Sequence, residues 1–250
     1  MRAGRGLRAH EPDFFAAHRA RQDRLRRLHL LYRRRLAHLM ASARDMLRVA
    51  DEPDLIEPER ASALALVQAL DAHHLARIEA ENAAFDAEAE QTAGRAVAAH
   101  RAQVAAIVNE CEGVLIAGGH VAVLSNRLRL FEVAPLLAQK PVLAWSAGAM
   151  ALTERVLLFH DSPPQGAGDA ELLERGLGLV PGVIVLPHAK KRLHLDDPRR
   201  VALMARRFAP DACYPMDLRT WLRFSEGLLE PMPGLQPLSP ELPEGAEALA

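Results

Sequence analysis

Between Pro12 and Glu112 the apolar positions recur every three or four residues; from Gly113 onward they gather into short runs closed by Gly, Pro or polar residues. The first pattern predicts amphipathic helices and the second predicts strands alternating with helices. Leu25, Leu28, Tyr32, Leu36, Leu39, Ala43 and Leu47 fall on one face of a long first helix. "DEPDLIEPE" breaks that helix, and a second starts at Asp54 or Glu57 with Pro58 in its first turn, carrying Leu64, Val67, Leu70 and Ile78 as its stripe. "GRAVAAHRAQVAAIVNEC" predicts a third.

In the second half "GVLIAGGH", "KPVLAWSAG", "GVIVLPH" and "DACYPMD" read as strands, separated by helical stretches such as "LSNRLRLFEVAPLLAQ" and "DPRRVALMARRFA". Strands alternating with helices imply a parallel sheet with flanking helices, and ligands of such sheets gather at the carboxyl ends of the strands. The expected fold class is therefore α/β with an N-terminal long-helix hairpin. Its parts are residues 1–111 (hairpin region), 112–228 (α/β domain) and 229–250 (a proline-rich, acidic, flexible tail).

Composition narrows the classes. Half of the 250 residues are hydrophobic, enough for a substantial core. No segment reaches the roughly 20 uninterrupted apolar residues of a membrane helix, and the Arg-rich start lacks the apolar stretch of a secretory signal. The expected location is the cytoplasm, with no membrane partner. Cys111 and Cys213 lack metal-ligand spacing and read as buried small hydrophobes in a reducing compartment.

The net charge is -1, yet arginines crowd the first helix and carboxylates the second. That complementarity favours an antiparallel hairpin over nucleic-acid binding. His73 and His74 point in different directions on the second helix and read as solvated or packing side chains rather than metal ligands.

The chemistry-bearing residues follow strands. In "VLAWSAGAMALTE" a strand turns into a helix at Ser146 between small residues, which is either a nucleophile elbow or a tight turn. The paired glycines of "IAGGH" permit close approach of backbone N–H groups, as an oxyanion hole or as a turn. His188 ends "GVIVLPH", where a base could reach a hydroxyl at another strand end; Asp161 and Asp217 are the carboxylates available to orient it.

Taken in order, "IAGGH", "AWSAGAM", "HDSPP", "GLGLVPGVIVLPH" and "APDACYPMDLRTW" resemble the dipeptidase E and cyanophycinase family of serine peptidases, which has a class I glutamine amidotransferase-like fold. The resemblance covers roughly residues 112 to 226. It implies Ser146 as nucleophile, His188 as general base, Asp161 as a functional aspartate, and an oxyanion hole from the N–H groups of Gly119 and Ala147. It also implies a small peptide substrate and chemistry that needs no metal or cofactor. Lys190 and Arg192 are candidates for binding an acidic substrate group, with solvated surface charge as the alternative; a homo-oligomer is compatible with the reading.

The chain departs from the family pattern at three points. Leu218 stands where the family has a Glu, with Asp217 one position earlier; Lys190 stands where true amidotransferases carry a carboxylate; and helices occupy the region where the family supplies its first strands. The incomplete sheet predicts either that the helical half is an insertion in a longer protein or that it replaces those strands and covers the sheet edge.

Overall fold

The architecture is that of a computed structural model describing residues 11–92, 95–159 and 169–242, side chains of 89–92, 95 and 96 excepted. Asp161 lies outside the described residues. Two long helices come first among the described residues, α1 (Pro12–Met46) and α2 (Pro53–Thr92), followed by α3 (Arg95–Glu110). Partners across the α1/α2 pair run in opposite directions: Arg24 with Glu81, Tyr32 with Asp71, and Arg60 with the Met46 carbonyl. This is an antiparallel hairpin. The second helix begins at Pro53, earlier than the sequence predicts, and Pro58 sits inside it. Pro53 is suited to a first turn because its φ is preset and no N–H is needed there.

The second half is mixed α/β, with short two-stranded sheets among the described residues. Strands β1 (Val114–Ile116) and β2 (Val142–Ala144) pair in parallel, joined through α4 (Val121–Leu130) and α5 (Ala134–Leu137). The single helix expected over this connection is divided: Glu132 adopts a left-handed φ of 51°, and Pro135 lies in the first turn of α5. After β2 come α6 (Ala147–Leu152), β3 (Arg155–Leu158) and β4 (Glu171–Arg175), the last two antiparallel. Next come β5 (Val183–Pro187), α7 (Ala189–Arg192), α8 (Pro198–Phe208) and β6 (Ala212–Met216), with β5 and β6 parallel. Asp197 caps α8 by accepting from the Arg199 and Arg200 N–H groups, each at 3.1 Å.

A final hairpin, β7 (Leu222–Ser225) and β8 (Leu228–Pro231), turns through Glu226 and Gly227, both at positive φ. Part of the segment expected as a flexible tail is therefore ordered: residues 229–231 are strand, and the Leu238 N–H donates to the Cys213 carbonyl at 2.8 Å. Residues 243–250 lie outside the described residues.

The two halves share one core. Tyr32, Leu36, Met40, Val67 and Leu70 of the hairpin are buried in the same cluster as Val156, Leu172, Ile184, Leu203 and Phe208. Each such burial stabilises by about 1.5–3 kcal/mol. Charge ties the halves as well: α1 pairs with β4 and its approach through Arg33–Glu171 and Arg44–Asp169, and α2 pairs outward through Glu79–Arg175, Asp86–Arg129 and Asp71–Arg207. The arginines of α1 are thus neutralised partly by α2 and partly by the α/β half. At the centre lies a buried network. Arg207, 3% exposed, grips Asp71 with two N–H groups (2.7 and 2.9 Å) and donates to Tyr32 Oη at 2.8 Å. Tyr32 in turn donates to Asp71 and accepts from the Leu172 N–H.

The hairpin leaves part of the β1/β2 pair uncovered. Leu115 and Leu143, partners in its register, are 70% and 64% exposed. The helical half therefore docks on β4 and α8 without burying these two side chains. Cys111 is exposed, correcting the expectation of burial; Cys213 is buried, which pushes its thiol up to about 12. His73 is exposed, whereas His74 is buried and stacks on Tyr32 with centroids 4.0 Å apart.

Candidate active site

Ser146 occupies the turn from β2 into α6 with φ 53° and ψ -124°. This conformation is rare for a residue with a Cβ, costs on the order of 1–3 kcal/mol, and persists only where surrounding structure enforces it. Two glycines do so. A Cβ on Gly118 would lie 2.9 Å from the Ser146 Cβ, and one on Gly148 would lie 2.3 Å from the Ile116 carbonyl oxygen. The end of β1, the serine turn and the first turn of α6 are consequently packed at backbone contact. The small residues around Ser146 are a steric requirement of this junction.

Gly119, at φ 141°, has open space where a side chain would stand. Gly119, Ser146, Ala147 and Arg192 line one cavity of about 130 Å³, floored by Met150 and Leu157. Three of the residues singled out for nucleophilic and oxyanion roles, and one for substrate binding, thus meet in one place. Arg192 reaches it from α7: its guanidinium lies 5.6 Å from the Phe159 ring centroid and donates to the Pro187 carbonyl at 3.3 Å. Phe159 also lines the cavity.

His188 stands at the carboxyl end of β5, exposed, with a left-handed backbone of φ 58° and ψ 42°. Register settles the position of Asp217. The β5/β6 ladder closes with Pro187 opposite Met216, so His188 and Asp217 are the next residues on the two adjacent strands. Asp217 has left the strand and begins a turn, held by a 3.0 Å hydrogen bond from its N–H to Thr220 Oγ1. Its carboxylate accepts from the Lys190 N–H at 3.3 Å, beside His188 at the start of α7. Lying on a loop frees Asp217 from strand alternation, which would have placed it and Leu218 on opposite faces. Leu218 is 94% exposed. The Lys190 side chain is exposed as well.

The arrangement comprises two groups of residues on neighbouring elements: Ser146, Gly119, Ala147 and Arg192 around the cavity, and His188, Asp217 and Lys190 beside it. Among the described residues no hydrogen bond joins Ser146 to His188, or His188 to Asp217. Helix α6, which follows the serine, packs through Ala149 against Val183, Val185 and Tyr214 of β5 and β6, bringing the two groups' elements together. No cluster of three or more potential metal ligands occurs among the described residues, and no described helix is long and apolar enough to cross a membrane. Sequence reasoning did not identify Gly118 or Gly148 as the residues that set the serine turn, although the "GG" and "SAG" patterns carried the signal.

Comparisons with known proteins return no match: no family model, no curated protein and no solved structure.

Proposed function

We propose that the chain is a serine hydrolase of the dipeptidase E type, with a class I glutamine amidotransferase-like α/β half, that cleaves an amide bond in a small peptide. The observation that carries this reading is the strained Ser146 at a strand-to-helix turn, facing a cavity also lined by Gly119, Ala147 and a cation. Strain of this kind at a polar residue is characteristic of functional sites. In the proposed reaction His188 takes the Ser146 hydroxyl proton as Oγ attacks the carbonyl carbon, and the N–H groups of Gly119 and Ala147 stabilise the oxyanion. His188 then returns the proton to the leaving amine, and water hydrolyses the acyl-enzyme. Asp161 is the proposed acid for His188, with Asp217, next to His188 in the β5/β6 register, as the alternative. Arg192 binds an acidic group of the substrate, which makes peptides with aspartyl residues the expected class.

A second reading has its own support: the unlinked Ser146 and His188, and the exposed Leu115 and Leu143, fit a catalytically inactive protein that keeps the fold as a binding scaffold. Assay of aspartyl and isoaspartyl dipeptides with the wild type, Ser146→Ala and His188→Ala separates the two. The hydrolase reading expects turnover by the wild type and a loss of at least 1,000-fold in either variant, the order that removal of a triad member produces. Absence of turnover by the wild type across the panel would favour the scaffold.

A further inference from the structure

Between the hairpin and the α/β half lies a cavity of about 500 Å³, within the range of small-molecule sites. It is separate from the Ser146 cavity except that His120 lines both. Four arginines line it (Arg21, Arg26, Arg33 and Arg129) against one carboxylate, Glu174. Arg21 is the unusual member. It is only 5% exposed, projects from α1, and has no carboxylate partner among the described residues: one of its N–H groups donates to Asn126 Oδ1, and its Cζ lies 4.3 Å from the Phe85 ring centroid. Its Nε has no hydrogen-bond partner among the described residues. Burial, and next the charge of Arg129, press the Arg21 pKa down. Arg129 is bridged to Asp86 and Arg33 to Glu171, so the cation left without a carboxylate in contact among the described residues is Arg21, whose charge Asp86 and Glu174 offset only from a distance and an anion in the cavity would neutralise directly.

The remainder of the lining is apolar, with Leu25, Ile78, Val123 and Leu173 on four different elements. We propose that this cavity binds a small organic carboxylate with an apolar body, its charged end at Arg21 and Arg129 and its body along Leu25, Ile78, Val123 and Leu173. The carboxylate accepts from guanidinium N–H groups of Arg21 and Arg129, which both line the cavity. Glu174 competes with the ligand when ionised. Burial raises its carboxyl to about 7, against the pull of Arg129 and Arg21, so it carries a proton over much of the acidic to neutral range and leaves the cations to the ligand. Binding should accordingly strengthen as pH falls from above 7 toward 6.

Isothermal titration calorimetry of the full chain with octanoate, octanamide and inorganic phosphate tests the proposal. Saturable binding of one octanoate per chain is expected, with octanamide and phosphate each at least tenfold weaker. Arg129→Gln should weaken octanoate at least tenfold, and Glu174→Gln should tighten it above pH 7. Arg129 is 40% exposed at its side chain, so its replacement keeps the test valid even where the buried Arg21→Met fails to fold. The proposal is overturned if octanoate does not bind, if octanamide or phosphate binds as well as octanoate, or if neither Arg129→Gln nor Glu174→Gln changes the affinity.

Discussion

The buried Tyr32–Asp71–Arg207 network makes the long hairpin part of the folding unit, and this has a measurable cost. Replacing Arg207 by Met preserves most of the side-chain volume but leaves the Asp71 carboxylate, whose side chain is 8% exposed, without its two guanidinium bonds. Removing one partner of a buried ion pair typically destabilises by about 3–5 kcal/mol, because the remaining charge is neither hydrated nor paired. At roughly 2–4 °C per kcal/mol for a chain of this size, the midpoint should fall by about 6–20 °C. The double variant Asp71→Leu/Arg207→Met removes both charges and should recover much of the loss, which makes the two sites strongly non-additive. Thermal and urea denaturation, both followed by far-ultraviolet circular dichroism, measure the midpoint and the free energy of all three proteins. A loss within about 1 kcal/mol for Arg207→Met, or simple additivity in the double variant, would refute the network as the link between the halves.

Three further outcomes follow from particular side chains. His74 is buried and its pKa is pushed down to about 4, by burial first and then by the charge of His29. The unfolded chain takes up this proton near 6.5 and the native state does not until about 4, so this residue makes stability fall as pH drops through that window, by at most about 3 kcal/mol. His74→Phe, which can retain the stack on Tyr32, should flatten the wild-type profile there; an unchanged difference between the two proteins from pH 7 to 4 would contradict it. Gly148→Ala should lower stability by about 1–3 kcal/mol in thermal denaturation, since its Cβ meets the Ile116 carbonyl oxygen at 2.3 Å. Finally, an aromatic disulfide reagent should titrate one thiol, Cys111, in the native protein and reach Cys213 only on unfolding; two fast thiols would disprove the burial of Cys213.

Much of this architecture was legible in the pattern of residues. The three- and four-residue spacing from Leu25 to Leu47 does mark α1, and Tyr32, Leu36, Ala43 and Leu47 of that stripe are buried. Charge complementarity between the first two helices signalled a hairpin, but it did not reveal that Glu171, Asp169, Arg175 and Arg207 of the other half also take part. Such partners are 96 to 138 residues away along the chain and carry no local signal. The parallel pairs β1/β2 and β5/β6 came from apolar runs ended by Gly or Pro. Strand β4 escaped because "ELLER" has the composition of a helix, and only packing beneath Tyr32 and beside β3 makes it extended. The position of Asp217 beside His188 depends on strand register, which is a tertiary property.

The most direct measurement is on Ser146. Incubation of the intact protein with a fluorophosphonate, followed by whole-protein and peptide mass analysis, should give one adduct per chain, carried by Ser146. The adduct should disappear in Ser146→Ala and form at least 100-fold more slowly in His188→Ala. No adduct on a folded wild-type protein, or an adduct on a different serine, would contradict the assignment of Ser146 as a nucleophile.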